Sequence, residues 1–138
     1  MDIEELRRQT RGMIRVGTVC DINAAECMAR VRFDDKDGTP SPEMPVITRG
    51  SGENKDYWLP DIGEEVVCIF AMNDKNFSTG WILGTYFADK RRAQAASVDI
   101  RRTDFGDGSY IEFNRAAGSL TINCTGEVII KGSNIRLN

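Results

Sequence analysis

The chain has 138 residues and a formal net charge of −3, from 18 lysines and arginines against 21 aspartates and glutamates. This length suits one ordinary domain, or a small domain with an appendage. The acidic balance lacks the basic footprint of a nucleic-acid binder, and no run approaches the roughly 20 apolar residues of a membrane span. We therefore expect a protein without a leader segment that is made and folded in the cytoplasm.

The composition also argues against catalysis and metal binding. The chain has no histidine, which excludes a histidine base and a histidine-containing triad. Its four cysteines form no CxxC pair, so we expect small core residues rather than a zinc site or disulfides. The expectation is a protein that is not an enzyme and that holds no metal and no cofactor.

The first predicted elements are a short helix and a β-hairpin. Residues 2–9 form a short amphipathic pattern with Ile3 and Leu6 on one side. Such a helix is too short to be stable alone, and docking and fraying both stay open. The runs MIRVGTVCDI (13–22) and CMARVRF (27–33) are rich in β-forming residues, and the second alternates cleanly. Together they predict a hairpin.

The middle of the chain predicts a small barrel. After a loop rich in proline and glycine come three apolar runs, YWLP (57–60), EVVCIFA (65–71) and GWILGTYF (80–87). Runs with so little alternation are typical of strands that are covered on both sides or closed into a barrel. With one short strand counted at 44–48 or 57–59, the inventory is five strands and one long connection. This is the inventory of an OB-like barrel, and an SH3-like barrel stays open.

Residues 107–138 change the pattern to strict alternation, in four short apolar bursts separated by glycine or polar turns. Period-two alternation predicts strands with one dry and one wet face. The predicted dry face comprises Ile111, Phe113, Leu120, Ile122, Cys124, Val128, Ile130, Ile135 and Leu137. The opposite face carries Tyr110, Glu112, Thr121, Asn123, Ile129 and Arg136. Because small isolated sheets are marginal, the dry face must meet the rest of the domain or copies of itself.

Several short motifs recur in a fixed order along the chain. They are RVGTV (15–19) followed by Asp21, ARVRF (29–33), WLP (58–60), IGEEVV (62–67), WILG (81–84), DGSYIEFN (107–114) and GSLTI (118–122). In this order they resemble the phage baseplate assembly protein V family. That family forms the central spike of contractile tails and is related to the spike part of type VI secretion valine-glycine repeat proteins. The DG motif resembles the start of the family's β-helical shaft.

The resemblance implies an all-β protein in which an OB-fold barrel precedes a short trimeric β-helix or β-prism shaft. The implied boundaries are a lead-in at 1–12, an OB-fold collar at 13–88, a linker at 89–106 and an intertwined shaft at 107–138. The nine dry-face residues then form the trimer core.

The implied function is that of a homotrimeric spike that seats on a baseplate hub protein and pierces the host envelope. The protein would meet the envelope only during penetration, and it would reside in the virion tail baseplate after assembly in the host cytoplasm. Some relatives bind a metal at the tip through paired histidines, which this chain lacks. Either the shaft is blunt, or a separate protein caps its tip.

The alternatives are a nucleic-acid-binding OB domain and a generic β-rich scaffold. The first would stack bases on aromatic side chains beside basic ones. The candidates are Tyr57, Trp58, Trp81, Tyr86 and Phe87, with Arg15, Arg30, Arg32 and Arg49. The acidic total outweighs these arginines, and the terminal strands have no role in such a domain. We therefore expect a spike and no nucleic-acid partner.

Overall fold

The computed structural model describes residues 2–34, 38–72, 78–88 and 90–138. The chain divides into two compact units, Met1–Arg91 and Arg92–Asn138. In the described residues the elements are α1 (Ile3–Arg11), β1 (Ile14–Asn23), β2 (Met28–Arg32), β3 (Met44–Pro45), β4 (Glu65–Phe70), β5 (Gly80–Thr85), β6 (Ile100–Asp104), β7 (Tyr110–Asn114) and β8 (Ser119–Asn123). The fold is nearly all β, as the sequence predicts.

The predicted N-terminal helix is present and runs to Arg11. The carboxylate of Asp2 accepts the backbone N–H of Glu5 at 2.7 Å, a standard N-cap that satisfies one of the free amides of the first turn. Gln9 is the buried residue of α1, whereas Ile3 and Leu6 are exposed. The predicted apolar side of α1 is therefore not the side that the first unit covers.

The first unit is built on a five-stranded sheet in the order β3-β2-β1-β4-β5, with antiparallel neighbours. The predicted hairpin is β1 and β2, which pair with Val19 opposite Val31 and with a register shift after Val19. At the other edge, Val46 forms a parallel bridge with Ile82, and the Ile47 N–H donates to the Ile82 carbonyl at 2.9 Å. The sheet therefore nearly closes into a barrel.

The barrel core lies inside this sheet. Its buried apolar residues are Val19, Ala29, Val31, Phe33, Met44, Val46, Val66, Cys68, Phe70 and Ile82. Burial raises the pKa of the Cys68 thiol to about 12, as expected for a cysteine that packs as a small apolar residue. A Cβ on Gly17 would lie 2.4 Å from Cγ1 of Val31, so the close approach of β1 to β2 needs a glycine.

The structure decides between the two places predicted for the short strand and corrects the prediction of four core cysteines. The strand is β3 (Met44–Pro45), within 44–48, whereas Trp58 and Leu59 pack against the core from a loop. Of the cysteines, Cys68 is buried, Cys20 and Cys27 are partly buried, and Cys124 of the second unit is exposed.

The second unit contains a three-stranded antiparallel sheet in the order β6-β7-β8. Gly108 (φ 94°) and Gly118 (φ 66°) occupy the two turns in the left-handed region that glycine tolerates. Residues 100–104, which the sequence analysis assigned to the linker, form β6 instead. Three of the five side chains of β6 are charged, so the sequence shows no apolar strand pattern there. The strand forms because it pairs with β7. Residue 89, where the predicted linker begins, lies outside the described residues.

The last two predicted strands are also corrected. Residues 124–138, which the structure describes in full, form no strand and no bridge. The apolar alternation is present there, but a strand needs a hydrogen-bonded neighbour, and the described residues place none beside it. We call residues 124–138 the terminal segment.

Candidate assembly surface

The β7–β8 pairing brings four predicted core residues together on one face. Ile111 lies opposite Ile122, and Phe113 lies opposite Leu120. Directly paired residues in antiparallel strands project to the same side, so these four form one contiguous apolar surface. We call it the terminal apolar face. Its side chains are 43–62% exposed.

The opposite face of the same sheet is mostly polar, and its Arg102 side chain is paired within the chain. The guanidinium of Arg102 lies 2.8 Å from an oxygen of Asp104 and 3.0 Å from one of Glu112. It also stacks 3.7 Å above the ring centre of Tyr110. The hydrogen bonds that Arg102 donates to Asp104 and then to Glu112 raise the pKa of Arg102. Arg102, Tyr110 and Glu112 are partly buried, whereas the other residues of the predicted wet face, Thr121, Asn123, Ile129 and Arg136, are exposed.

The terminal segment carries the remaining predicted core residues. Cys124, Val128, Ile130, Ile135 and Leu137 are all exposed, Leu137 to 93%. Ile129, which the alternation assigned to the wet face, is exposed as well. Within one chain, therefore, all nine predicted core residues are accessible to solvent.

The chain is also similar in sequence to a curated phage protein. The chain is 28% identical over 124 residues to the Spike protein of Escherichia phage P2, and the match covers 88% of the chain. The chain is a homologue of a phage spike protein. This confirms the resemblance drawn from the motifs, and it is consistent with a family of baseplate spike proteins. The chain spans about half, 56%, of the relative's length. None of the known protein-family models matches the chain.

The structure brings only some of the residues proposed for nucleic-acid binding together: Arg49, Tyr57 and Trp58 line one cleft, which also contains Asp56. Arg49 pairs with Asp56 at 2.8 Å, and the Arg32 guanidinium donates to the Gly38 carbonyl at 2.7 Å. Arg30 lies 3.9 Å from a carboxylate oxygen of Asp21. Arg15 stacks over the core ring of Phe33 at 4.2 Å. These arginines are therefore already engaged inside the first unit.

The aromatic candidates fall into separate groups, with Tyr57 and Trp58 at one cleft and Tyr86 and Phe87 at another. Trp58 donates its indole N–H to the Ile47 carbonyl at 2.9 Å. The Tyr86 hydroxyl donates to Glu65 at 2.7 Å, and this hydrogen bond raises the pKa of Tyr86. A cleft of about 780 Å³ beside Tyr86 and Phe87 is lined by Glu64 and Glu65 as well as by Lys90. Its mixed charge does not suit a phosphate backbone.

Sequence reasoning missed two features. Arg102 lay in the predicted linker, although the spacing of Arg102 and Asp104 matches a strand face. The outer face of the barrel was also missed, where Ile14, Val16 and Leu83 are exposed. The sequence pattern that could have revealed this face is the presence of apolar residues on both sides of β1 and β5. In β1, for example, Val16 is exposed and Val19 is buried.

The described residues contain no group of three or more cysteines, aspartates or glutamates placed to hold a metal ion. Within the same part of the chain, none of the helices is long and apolar enough to cross a membrane.

Proposed function

We propose that this chain is the homotrimeric central spike of a contractile phage tail or of a phage-derived injection system. The similarity to a phage spike protein suggests a structural role in the virion tail. The observation that carries the rest of the proposal is the exposure of all nine alternating apolar residues between Ile111 and Leu137.

The first unit is proposed to be an OB-fold collar. Three strands follow one another as β1-β2-β3, and β4 then pairs back with β1. The parallel contact of Val46 with Ile82 brings β3 beside β5. A five-stranded Greek-key barrel has this connectivity.

The second unit is proposed to be the base of a trimeric β-helix or β-prism shaft. Soluble proteins rarely expose a large contiguous apolar surface unless it is an interaction site. Two further copies would cover the terminal apolar face and would supply ladder partners for the terminal segment. Each buried aliphatic side chain would then gain about 1.5–3 kcal/mol.

The proposed mechanism is mechanical, without bond chemistry, and the protein is not an enzyme. The collar seats on a baseplate hub protein, and sheath contraction drives the shaft through the host envelope. Strands shared among three chains resist an axial load because many ladder bonds must fail together. A separate protein can cap the tip. Assembly takes place in the host cytoplasm, and nucleic acid is not a partner.

Light scattering on the purified 138-residue chain tests the trimer. The expected solution mass is three times the 15.4 kDa chain mass. A mass of one chain at micromolar concentration would contradict the proposal.

A further inference from the structure

Three side chains tie the start of the terminal segment to the β6–β7 turn. The Thr125 hydroxyl donates to Oδ2 of Asp107 at 3.0 Å, and the Thr125 N–H donates to the Ser109 hydroxyl at 3.1 Å. The Ser109 N–H in turn donates to Oδ1 of Asp107 at 2.9 Å. We call Asp107, Ser109 and Thr125 the terminal clasp. It uses the hydroxyl and the backbone N–H of Thr125.

The terminal clasp lies where the β7–β8 ladder ends. The last paired residues are Tyr110 and Asn123. Two residues after Asn123, hydrogen bonds that involve side chains replace the backbone ladder and hold Thr125 against residues 107–109. The clasp therefore fixes the backbone at the point from which residues 126–138 depart.

The carboxylate of Asp107 is suited to this role. Its pKa lies below the ordinary value, chiefly because of the Ser109 N–H, then the Ser109 hydroxyl, then Thr125. It is therefore charged at neutral pH, and hydrogen bonds to an ionised acceptor are shorter and stronger than those to a neutral one.

We propose that the terminal clasp aims residues 126–138 towards a second copy of the chain and away from their own sheet. The proposal rests on the trimeric function proposed above. The terminal apolar face is an exposed apolar surface within the same unit as the terminal segment. A stretch of 13 extended residues reaches about 40 Å, ample for folding back across that face. By fixing the departure point, the clasp disfavours this closure within one chain and makes Thr125 a positioning residue.

Thr125→Val in the full 138-residue chain tests the clasp. Valine keeps the shape of threonine and removes the hydroxyl, and Thr125 is exposed, so the fold is preserved. Asp107→Ala is less suitable because the aspartate also holds the turn. Thr125→Ser restores the hydroxyl. Thr121→Val is the matched control, since Thr121 is an exposed residue of β8 for which the described residues show no side-chain hydrogen bond.

Two readouts are compared after dilution from urea, the rate of trimer recovery and the hydrogen exchange of residues 126–138. We expect Thr125→Val to recover the trimer at least about threefold more slowly and to lose protection in those residues, because one hydrogen bond per chain is missing. Thr125→Ser and Thr121→Val should match the wild-type chain. The melting of the barrel should be unchanged in all three variants.

The outcomes separate the two proposals. If the wild-type chain is a trimer and Thr125→Val recovers equally fast, the clasp proposal is wrong and the spike proposal stands. Equal slowing by Thr121→Val, or failure of Thr125→Ser to rescue, overturns the clasp proposal as well. A monomeric wild-type chain contradicts the spike proposal itself, and the clasp proposal with it.

Discussion

Strand residues in both units alternate between two faces, but apolar residues on equivalent faces are buried in one unit and exposed in the other. In the barrel, Ile82 is fully buried because the sheet curves until β3 meets β5. In the second unit, Ile122 occupies an equivalent inward phase of β8 and remains 55% exposed. Alternation therefore specifies which residues share a face. Whether that face is dry depends on sheet closure, and three short strands cannot close on themselves.

The polar faces reinforce this comparison. The second unit places its best-connected polar group, Arg102 with Asp104 and Glu112, on the face opposite the terminal apolar face. Arg102, Asp104 and Glu112 therefore pair within the chain. The exposed apolar side chains lie on the other face, which is the face that we expect further copies to cover.

The largest expected effect comes from placing a charge on the terminal apolar face. Ile122→Asp would bury three carboxylates close together in a trimer, where desolvation and mutual repulsion both oppose assembly. We expect the concentration needed for half-assembly to rise more than about a hundredfold at neutral pH. Light scattering over a dilution series measures this change.

Ser119→Asp is the control for that variant. It adds the same carboxylate to β8 on the opposite face, across from Asn114. Thr121 is a poorer position because it lies opposite Glu112, and a new carboxylate there would add repulsion of its own. If both aspartate variants assemble alike, the assigned face is wrong.

Removing the second unit tests whether the barrel alone can assemble. A chain truncated after Arg91 keeps the barrel core and loses all nine candidate interface residues. We expect it to be monomeric and to unfold cooperatively in urea. Truncation before residue 107 would instead leave β6 without β7. A truncated chain that stays trimeric would place the assembly surface on the barrel.

A core substitution in the truncated barrel should have a smaller effect. Ile82→Ala creates a cavity at a fully buried site and should cost about 2–5 kcal/mol in the free energy of unfolding. Leu83→Ala makes the same kind of change one residue later, where the side chain is 43% exposed, and should cost less than about 1 kcal/mol. Urea denaturation compares them. Equal costs for the two variants would contradict the placement of Ile82 in the core and of Leu83 on the outer face.

Much of this difference between the units was predictable from the residues. The β1–β2 hairpin, the apolar runs of β4 and β5, and the phases of β7 and β8 all follow from β-forming residues and period-two spacing. Strand β6 was not predictable, because Arg102 and Asp104 are polar residues whose place in a sheet depends on Tyr110 and Glu112 in another strand.

The terminal segment shows the opposite limit. Its alternation correctly marks apolar residues, such as Val128 and Ile130, but a single chain supplies no ladder partner for them in the described structure. The residues of one strand predict which of its side chains share an apolar face. They do not predict which other strand will form hydrogen bonds with it. The exposed apolar residues of β1 were also not predicted. When a barrel strand has apolar residues on both sides, only one set can face the core, and the strand's own sequence does not show which set that is.

The smallest expected effect is the acid dependence of the terminal clasp. Because the folded pKa of Asp107 is lowered, its contribution is complete above the ordinary carboxyl pKa near 3.8 and is lost as the pH falls through the lower folded value. The melting temperature of the wild-type chain should therefore exceed that of Asp107→Asn at pH 7, and the gap should narrow towards pH 3. If the difference in melting temperature did not change with pH, the charge of the Asp107 carboxylate would not contribute to the terminal clasp.

Hydrogen exchange of the backbone amides at residues 127–137 tests the central claim most directly. The described structure of one chain gives these amides no ladder partner, so protection there must come from other copies. We predict that they exchange at least about a hundredfold more slowly than an unfolded peptide in the assembled protein, and that Ile122→Asp abolishes this protection. Exchange at the rate of an unfolded peptide in the wild-type protein would contradict the claim that this protein completes its terminal sheet with further copies of itself.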